Sequence, residues 1–390
     1  MIASPDRDLG ERLIAEIDHS GPIRLSRFMS IALSDSEQGY YQTRDPFGEQ
    51  GDFTTAPEIS GLFGEMCGLF LTHMANIARL DNPHIIELGP GRGSLMADMR
   101  HVWKRLAPAL AAAPVHLVET SPHLRRLQTN HLPDGRLVFH DNLDQLPSQP
   151  LFGIANEFFD ALPIDQAIWR ATDAPSDRRH GQQGRWYHRL VGIVDGRLAF
   201  VDGPALTAAD RTLWGLSASA QPPAVKAGTG DGSIIEYCPL AASIATQLAH
   251  HIAAYGGACL IIDYGRDGQT GDSLQAVADH RPVDIFHQPG AADLSHWVDF
   301  SVIGQAVRAA GARLIGPVTQ GAFLKEIGII ERAETAGLAA DAVGRRAIYA
   351  AVDRLVSAHH MGTAFKVALL VPSGDGIPLG FATIDTTKGK

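Results

Sequence analysis

Several features that would identify a class of protein are scarce or missing in this 390-residue sequence. It has only three cysteines, Cys67, Cys238 and Cys259, and none of them forms a CxxC pair. This excludes zinc-ribbon and thioredoxin-type sites, and the odd number of cysteines favours a reducing compartment. No run of residues approaches the roughly 18 apolar residues that span a bilayer, so no membrane insertion is predicted.

Positive charge is in deficit as well. Lys and Arg total 33 against 43 Asp and Glu, a formal net charge of −10, so nonspecific binding to nucleic acid is not expected. The first residues, MIASPDRDLGERLIAEI, lack the basic start and apolar core of a signal peptide, and their acids argue against a transit peptide. The protein is therefore predicted to be cytoplasmic. The 17 histidines include no HExxH motif, and no metal site is predicted.

What the sequence does contain is an alternation of strand-like and helix-like segments after residue 83. HIIEL, VHLVE, RLVFH, FGIANEF and ACLIIDYG are apolar runs of strand length, with helical or turn signals between them. Two further strands are predicted near residues 313–318 and 365–371. Such alternation is typical of α/β proteins, in which helices cross over between parallel strands.

The remaining segments predict a chain of four parts. Residues 8–33 and 60–80 have helical spacing, whereas residues 39–57, rich in Gly, Pro and aromatic residues, are predicted to be a loop with a binding surface. Asp195-Gly196 between two strand-like runs is a hairpin signal. The predicted parts, in chain order, are an N-terminal helical and loop region (1–83), the first half of an α/β domain (84–166), an insertion with a hairpin (167–233) and the second half of the domain (234–390).

The segment IIELGPGRGSL places three alternating glycines between a strand and the start of a helix. Gly89, Gly91 and Gly93 have no Cβ, so the backbone can approach a ligand at the helix N-terminus. The pattern is ExGxGxG, with Glu87 on the strand. It is not a dinucleotide-binding GxGxxG, because Ser94 stands at the third glycine position, and it is not a phosphate loop. An ordinary glycine turn in an α/β protein is the alternative interpretation.

Polar residues follow the next three strands, at the ends where ligands bind in open parallel sheets. Glu119 ends the second strand, where an acid can accept hydrogen bonds from both hydroxyls of a ribose. Asp141 and Asn142 follow the third strand, where an acid can bind an adenine amino group, and Asn156 and Glu157 end the fourth. Each signal is weak alone, because Asp and Asn often cap helices. Together they predict one ligand site.

On these motifs the sequence resembles the class I S-adenosylmethionine-dependent methyltransferases. Over nearly the whole chain, LSRFMSIAL, GYY, GDFTTAPEIS, IIELGPGRGSL, NEFFDALPIDQ, GAFLKEIGI and FKVALL are similar to the family of the mitochondrial complex I assembly arginine methyltransferase and its bacterial relatives. The resemblance implies an α/β fold with the seven-stranded, Rossmann-like class I sheet, an N-terminal helical region and an insertion after the fourth strand. It implies S-adenosylmethionine as cofactor, and the residues of the glycine turn and of the strand ends are then predicted to bind it: Glu87, Gly89, Gly91, Gly93, Glu119, Asp141, Asn142 and Asn156.

The activity that the resemblance implies is dimethylation of an arginine on the 49-kDa-type subunit of NADH dehydrogenase, a protein partner. No mitochondrial presequence is evident, which predicts a bacterial member of the family. Guanidinium nitrogens are poor nucleophiles, because the group is protonated and its charge is delocalised. Carboxylates beside the guanidinium can bind two of its N–H groups at once and localise the positive charge away from the nitrogen that attacks the methyl group.

Three acids are candidates for this catalytic task. NEFFDALP supplies Glu157 and Asp160 after the fourth strand, and TAPEIS supplies Glu58. The alternative for each is a carboxylate at the start of a helix, favoured there by the helix dipole. Two other functions also stay open. A small-molecule O- or N-methyltransferase would need a neutral pocket or a histidine base, and an assembly factor without catalysis would bind the cofactor and hold its partner.

Overall fold

The computed structural model describes residues 8–43, 55–133, 136–171, 184–216, 231–268, 271–374 and 376–382. Its helices are α1 (Leu9–Ser20), α2 (Leu25–Ser34), α3 (Tyr40–Thr43), α4 (Ala56–Ile59), α5 (Gly61–Ala78), α6 (Ser94–Leu106), α7 (Pro108–Ala112), α8 (Pro122–His131), α9 (Ala208–Leu213), α10 (Pro239–Tyr255), α11 (Phe300–Ala309), α12 (Gln320–Glu326), α13 (Ile329–Ala339), α14 (Ala342–Val356) and α15 (Met361–Ala364). Its strands are β1 (Ile23–Arg24), β2 (His84–Leu88), β3 (Pro114–Val118), β4 (Arg136–His140), β5 (Leu151–Asn156), β6 (Asp165–Ala171), β7 (Gly184–Val194), β8 (Arg197–Ala205), β9 (Ile234–Tyr237), β10 (Gly257–Arg266), β11 (Gln275–Ala278), β12 (Arg281–Val283), β13 (Asp293–Ser295), β14 (Val298–Asp299), β15 (Ala312–Thr319) and β16 (Phe365–Pro372).

The chain divides into two compact units, each built from separate stretches of sequence. The first unit consists of Met1–Arg44, Leu162–Leu240 and Gln269–His296. The second unit consists of Asp45–Ala161, Ala241–Gly268 and Trp297–Lys390. The division of the sequence into four parts stays a prediction.

A mixed sheet forms the centre of the second unit, with the strand order β15-β16-β10-β5-β2-β3-β4. Neighbours from β10 to β4 are parallel, whereas β16 is antiparallel to both β10 and β15. The two-residue strand β14 pairs with the end of β10. The α/β class and the strands predicted from the apolar runs are confirmed. The antiparallel direction of β16 was not predicted, because apolar runs carry no information on strand direction.

One face of this sheet packs against α5 and α6. Alternate residues of parallel strands point to the same side, so Ile85, Val115 and Phe152 all contribute to one hydrophobic core. Phe63 on α5 and Trp103 on α6 pack into the same core, and both side chains are fully buried. None of the helices in the described part of the chain has the length and apolar character needed to cross a membrane.

The opposite face carries a row of three stacked histidines, one each on β2, β3 and β4. His84 Nδ1 lies 2.8 Å from His116 Nε2, and His116 Nδ1 lies 2.8 Å from His140 Nε2. His116 and His140 are buried. Burial lowers the pKa of all three imidazoles, and it brings that of His116 to about 4. The row is therefore neutral in the folded protein at neutral pH.

Two antiparallel sheets lie in the described part of the first unit. One has the strand order β1-β7-β6-β9, with β8 paired to β7, and the other has the order β12-β11-β13. Asp195 and Gly196 join β7 to β8 with φ angles of 49° and 74°, the left-handed conformation that a tight hairpin turn requires. The predicted hairpin is confirmed.

The predicted loop at residues 39–57 is wrong in part. α3 covers its beginning, where the Tyr40 side chain is fully buried in the hydrophobic core of the first unit and forms no binding surface. α4 covers its end, because Pro57 in the first turn has a φ already suited to a helix. Residues 44–54 lie outside the described residues.

Candidate cofactor and acceptor site

The carboxyl ends of β2 and β5 border a cleft in the second unit. Its lining comes from α4, from the glycine turn after β2 and from the end of β5: Thr55, Pro57, Glu58, Glu87, Gly89, Pro90, Gly91, Arg92, Ser94, Leu95, Asn156 and Glu157. The cleft thus brings together Glu58, Glu87, Gly89, Gly91, Asn156 and Glu157, all of which were predicted as site residues. Its position agrees with the rule that ligands bind at the carboxyl ends of parallel strands.

The glycine turn has a backbone conformation that needs its glycines. Gly89, Gly91 and Gly93 have φ angles of 61°, 52° and 84°, all in the left-handed region that L side chains seldom adopt. A Cβ added at Gly89 would also lie only 2.8 Å from Cδ2 of Phe158. Gly93 precedes the first residue of α6 and is its N-cap. The turn therefore presents bare backbone to the cleft.

Two buried oxygen atoms of the cleft lining have no hydrogen-bond partner among the described residues. They are Oε2 of Glu87, a side chain 2% exposed, and Oδ1 of Asn156, which is 8% exposed. Burial raises the pKa of Glu87 to about 8. Since an unpaired buried acceptor is unfavourable, a ligand that brings N–H donors or positive charge would stabilise this part of the cleft.

Glu119 is linked to the glycine turn through a residue that was not predicted. Its carboxylate accepts the N–H of Ser121 at 2.7 Å and the amide of Gln128 at 3.4 Å. The same Gln128 Nε2 donates to the Gly91 carbonyl at 2.7 Å. Burial raises the pKa of Glu119. Gln128 is fully buried on α8, one turn after the buried Leu124, and this polar residue on an apolar helix face is the signal that could have identified it.

The third-strand residues lie outside the described lining of the cleft. Asp141 Oδ1 accepts from Arg125 at 2.6 Å, and Arg125 Nε donates to the Glu119 carbonyl at 2.7 Å. Arg125, which was not predicted, therefore joins the ends of β3 and β4. The Asn142 side chain accepts the N–H of Asp144 at 3.0 Å and closes a local turn. The cofactor roles of Glu119, Asp141 and Asn142 stay predictions.

The carboxylates of Glu157 and Glu58 both contact groups at the edge of the cleft. Glu157 Oε1 accepts the N–H of Ala56, at the start of α4, at 3.0 Å, and the Asn156 amide at 3.2 Å. Glu58 Oε1 accepts the hydroxyl of Ser94, at the start of α6, at 2.9 Å. One acid after the fourth strand and one acid from α4 are therefore brought to the same cleft, beside the glycine turn.

For Glu58, Glu157 and Asp160 the alternative interpretation is a carboxylate that stabilises the start of a helix. The structure agrees with that interpretation for Glu58 alone. Glu58 lies in the first turn of α4. Residues 157–164, all of them described, form turns and bends, so Glu157 and Asp160 do not begin a helix. Asp160 is not among the described residues that line the cleft. Across the described residues, no group of three or more His, Cys, Asp or Glu side chains could hold a metal ion.

Similarity to known proteins identifies the family to which this chain belongs. Residues 66–318 match the family model described as "Putative S-adenosyl-L-methionine-dependent methyltransferase". The chain belongs to this methyltransferase family. It is 32% identical to the protein arginine methyltransferase NDUFAF7, mitochondrial, of Xenopus tropicalis, over 92% of this chain and 85% of the relative. It is 31% identical to the Homo sapiens protein of the same name, over 95% and 84%.

A solved structure agrees with this assignment. A protein from Burkholderia thailandensis described as a "likely methyl transferase", with bound S-adenosyl-homocysteine, has a TM-score of 0.79 and 26% identity, covering 96% of this chain and 94% of that chain. S-adenosyl-homocysteine is what S-adenosylmethionine becomes when it gives up its methyl group. The predicted cofactor, enzyme class and resemblance are confirmed: the protein is an S-adenosylmethionine-dependent methyltransferase with an α/β methyltransferase fold.

The predicted cytoplasmic location is contradicted. The relatives from Xenopus tropicalis, Homo sapiens and Drosophila melanogaster are all named as mitochondrial proteins. The prediction combined the character of the first residues and the lack of a long apolar run with the cysteine content, which reports on redox conditions and does not identify a compartment.

Proposed function

We propose that the protein is a protein arginine N-methyltransferase whose acceptor is an arginine of the 49-kDa-type subunit of NADH dehydrogenase. The observation that carries the proposal is the cleft in which the glycine turn adjoins two carboxylates, Glu157 and Glu58. The name of the relatives, protein arginine methyltransferase, supports the choice of acceptor. The choice of protein partner rests on the sequence resemblance.

The residues around the glycine turn suit the cofactor. S-adenosylmethionine supplies, when bound, a methyl group on a sulfonium that is transferred by in-line displacement. Glu87 and Asn156 would hold its ammonium group, because their buried oxygens need a donor. The backbone at Gly89, Gly91 and Gly93 leaves room for close approach. We assign Glu119, Asp141 and Asn142 to the adenosine part.

The acids suit a guanidinium acceptor. Glu157 would hold the guanidinium fork and localise its charge away from the nitrogen that attacks. Glu58 is the second carboxylate of the proposed acceptor site, and Asp160 is a third candidate. Phe159, which is fully buried two residues after Glu157, would exclude water from this part of the site. Exclusion of water strengthens the attraction between a carboxylate and a cation.

The finer architecture belongs to the same proposal. We take the seven-strand path from β15 to β4 as the class I methyltransferase sheet, in which β5 is the fourth strand along the chain. Residues 167–233 are then an insertion after that strand, and residues 1–83 are an N-terminal region that precedes the methyltransferase domain.

Mass spectrometry tests the acceptor. The purified 49-kDa-type subunit is incubated with the protein and S-adenosylmethionine, and tryptic peptides are searched for methylated arginine. We expect two methyl groups on one arginine, and none when the protein is omitted. Proteomes of cells with and without the protein provide the matching observation in vivo. Methylation confined to small molecules, with every arginine unmodified, would contradict the proposal.

A further inference from the structure

Asp263 is an acidic residue in the interior of the sheet, where water cannot solvate a charge. It follows an apolar run on β10, and its side chain is 0% exposed. Its cross-strand partner on β16 is Lys366, but the ammonium of that residue donates to the carbonyl oxygens of Thr363 and Ala364. Burial of a carboxylate destabilises the fold unless hydrogen-bond donors surround it. The donors that Asp263 binds therefore indicate its structural role.

The donors are backbone N–H groups of the turn after β5. Oδ2 of Asp263 accepts the N–H of Phe158 at 3.2 Å and that of Phe159 at 2.8 Å. Oδ1 of Asp263 accepts the N–H of Tyr264 at 2.9 Å. Two successive N–H groups of the turn therefore converge on one carboxylate oxygen. Such convergence fixes the backbone, because both groups lose their acceptor if the turn changes shape.

The turn begins at Glu157, the acid that we place at the acceptor. The N–H of Glu157 donates to the Ile262 carbonyl at 2.9 Å and so continues the β5–β10 pairing by one residue. Its φ is 51°, which bends the chain away from the sheet and allows the next N–H groups to reach Asp263. Glu157 is thus the last residue held by the sheet and the first of the turn, and its side chain lines the cleft.

We propose that Asp263 is a positioning residue for methyl transfer: by accepting the N–H groups of Phe158 and Phe159, it holds the turn in the conformation that aims the Glu157 carboxylate into the cleft. This inference rests on the proposed function, since it assumes that Glu157 binds the acceptor. Asp263 itself is fully buried and is not among the described residues that line the cleft. Its effect on the rate is therefore transmitted through Glu157.

A double-mutant cycle tests this transmission. Asp263→Asn keeps the size of the side chain but leaves a single acceptor oxygen, so the N–H groups of the turn and that of Tyr264 can no longer all be accepted, and the NH₂ group faces an N–H donor. We expect kcat for the arginine substrate to fall about 100-fold, the size of effect that a misplacement of ~1 Å produces. The Kd of S-adenosylmethionine should stay unchanged. In a Glu157→Gln background, Asp263→Asn should lower kcat by less than about threefold, because the group that it positions is already lost.

Glu326→Gln is the control for the loss of a half-buried carboxylate that accepts two backbone N–H groups. Glu326 Oε1 accepts the N–H groups of Gly380 and Ala382 at 3.0 and 3.2 Å, and the residue lies outside the described lining of the cleft. This variant should lower Tm and leave kcat and KM unchanged at temperatures where the protein is fully folded. If Asp263→Asn does not fold, Asp263→Ser, which buries a smaller polar group and no NH₂, takes its place in the cycle.

The outcomes separate the inference from the function on which it rests. Equal losses of kcat for Asp263→Asn in both backgrounds would show that Asp263 acts independently of Glu157 and would overturn the inference alone. Loss of Tm without loss of kcat, as for Glu326→Gln, would also overturn it alone. Full arginine methylation by Glu157→Gln would instead overturn the acceptor role of Glu157, and the positioning role would fall with it.

Discussion

Glu157 has a backbone conformation that residues other than glycine seldom adopt. A φ of 51° costs a side-chain-bearing residue about 1 kcal/mol, and glycine or asparagine would avoid part of that cost. The presence of glutamate here is therefore unfavourable for the backbone. The Glu157 carboxylate lines the cleft and accepts a hydrogen bond at the start of α4, and a glycine at this position would provide neither.

Two substitutions at Glu157 separate backbone strain from chemistry. Glu157→Gly relieves the strain but loses the hydrogen bond to Ala56, so the free energy of unfolding should change by less than about 1 kcal/mol. Glu157→Gln keeps the size of the side chain and removes its charge. Both should slow arginine methylation more than about 100-fold, because losing the charge paired with a desolvated cation costs ~3 kcal/mol.

Steady-state kinetics on an arginine peptide and urea unfolding measure these effects. Asp195→Gly is the control, because Asp195 has the same left-handed conformation, with φ of 49°, in the β7–β8 turn. It should not change the rate. Near-normal turnover by Glu157→Gln would remove the assignment of an arginine acceptor and leave the methyltransferase activity in place.

Gly91 offers a residue-scale test of the cofactor site. Gly91→Val places a branched side chain where the backbone faces the cleft, so calorimetric binding of S-adenosylmethionine should be lost. The left-handed φ of 52° adds about 1 kcal/mol of instability. Gly196→Val controls for that strain, since Gly196 has φ of 74° in the hairpin of the first unit. Unchanged affinity in the Gly91 variant would mean that the turn has only a structural role.

At the scale of elements, the histidine row joins β2, β3 and β4 on the face opposite α5 and α6. His140 Nδ1 is buried with no partner in the described residues. The charges that act on the pKa values of the outer two histidines are Arg136 at His84, and Arg125 and Asp141 at His140. The neighbouring histidines, including His251 on α10, lower the pKa of His116 further. A proton added to this row therefore enters a buried and electropositive environment.

The row predicts an acid-sensitive sheet. Burial lowers the pKa of His116 from its ordinary value of 6.5 to about 4, so the unfolded chain binds a proton more readily than the folded protein does. The contribution of the neutral His116 to the free energy of unfolding is complete above pH 6.5, and it is lost as the pH falls towards 4. Urea unfolding at a series of pH values should show this decline. His116→Gln should make it shallower, whereas His250→Gln, at an exposed position on α10, should not. Identical slopes for wild type and His116→Gln would contradict the prediction.

At the scale of the whole molecule, the cofactor should stabilise the fold that binds it. S-adenosylmethionine or S-adenosyl-homocysteine at a hundredfold excess over Kd stabilises the native state by about 2.7 kcal/mol, and this should raise Tm. NAD should not raise Tm, because the third glycine of the dinucleotide motif is replaced by Ser94. Differential scanning fluorimetry with the three ligands measures the shifts. An equal shift with NAD would contradict the specificity of the cleft.

Local sequence determined those features that depend on neighbouring residues. Apolar runs of strand length and helical spacing predicted the strands and helices of the sheet, because their periods of 2 and 3.6 residues are local properties. The Asp195-Gly196 turn and the glycine turn after β2 could likewise be predicted from the sequence, because a left-handed φ restricts the residue type at a single position. The contiguous motifs also identified the methyltransferase family and its cofactor.

Tertiary structure alone decided which distant residues meet. Gln128 joins Glu119 to Gly91, Asp263 holds the turn that begins at Glu157, and three histidines from separate strands stack in one row. These contacts depend on strand order and on which strand ends lie side by side, and no local pattern encodes either. Burial likewise raises the pKa of Glu87 only because the folded chain removes water from around it. The same sheet that places the carboxylates at one edge also sets the environment that tunes them.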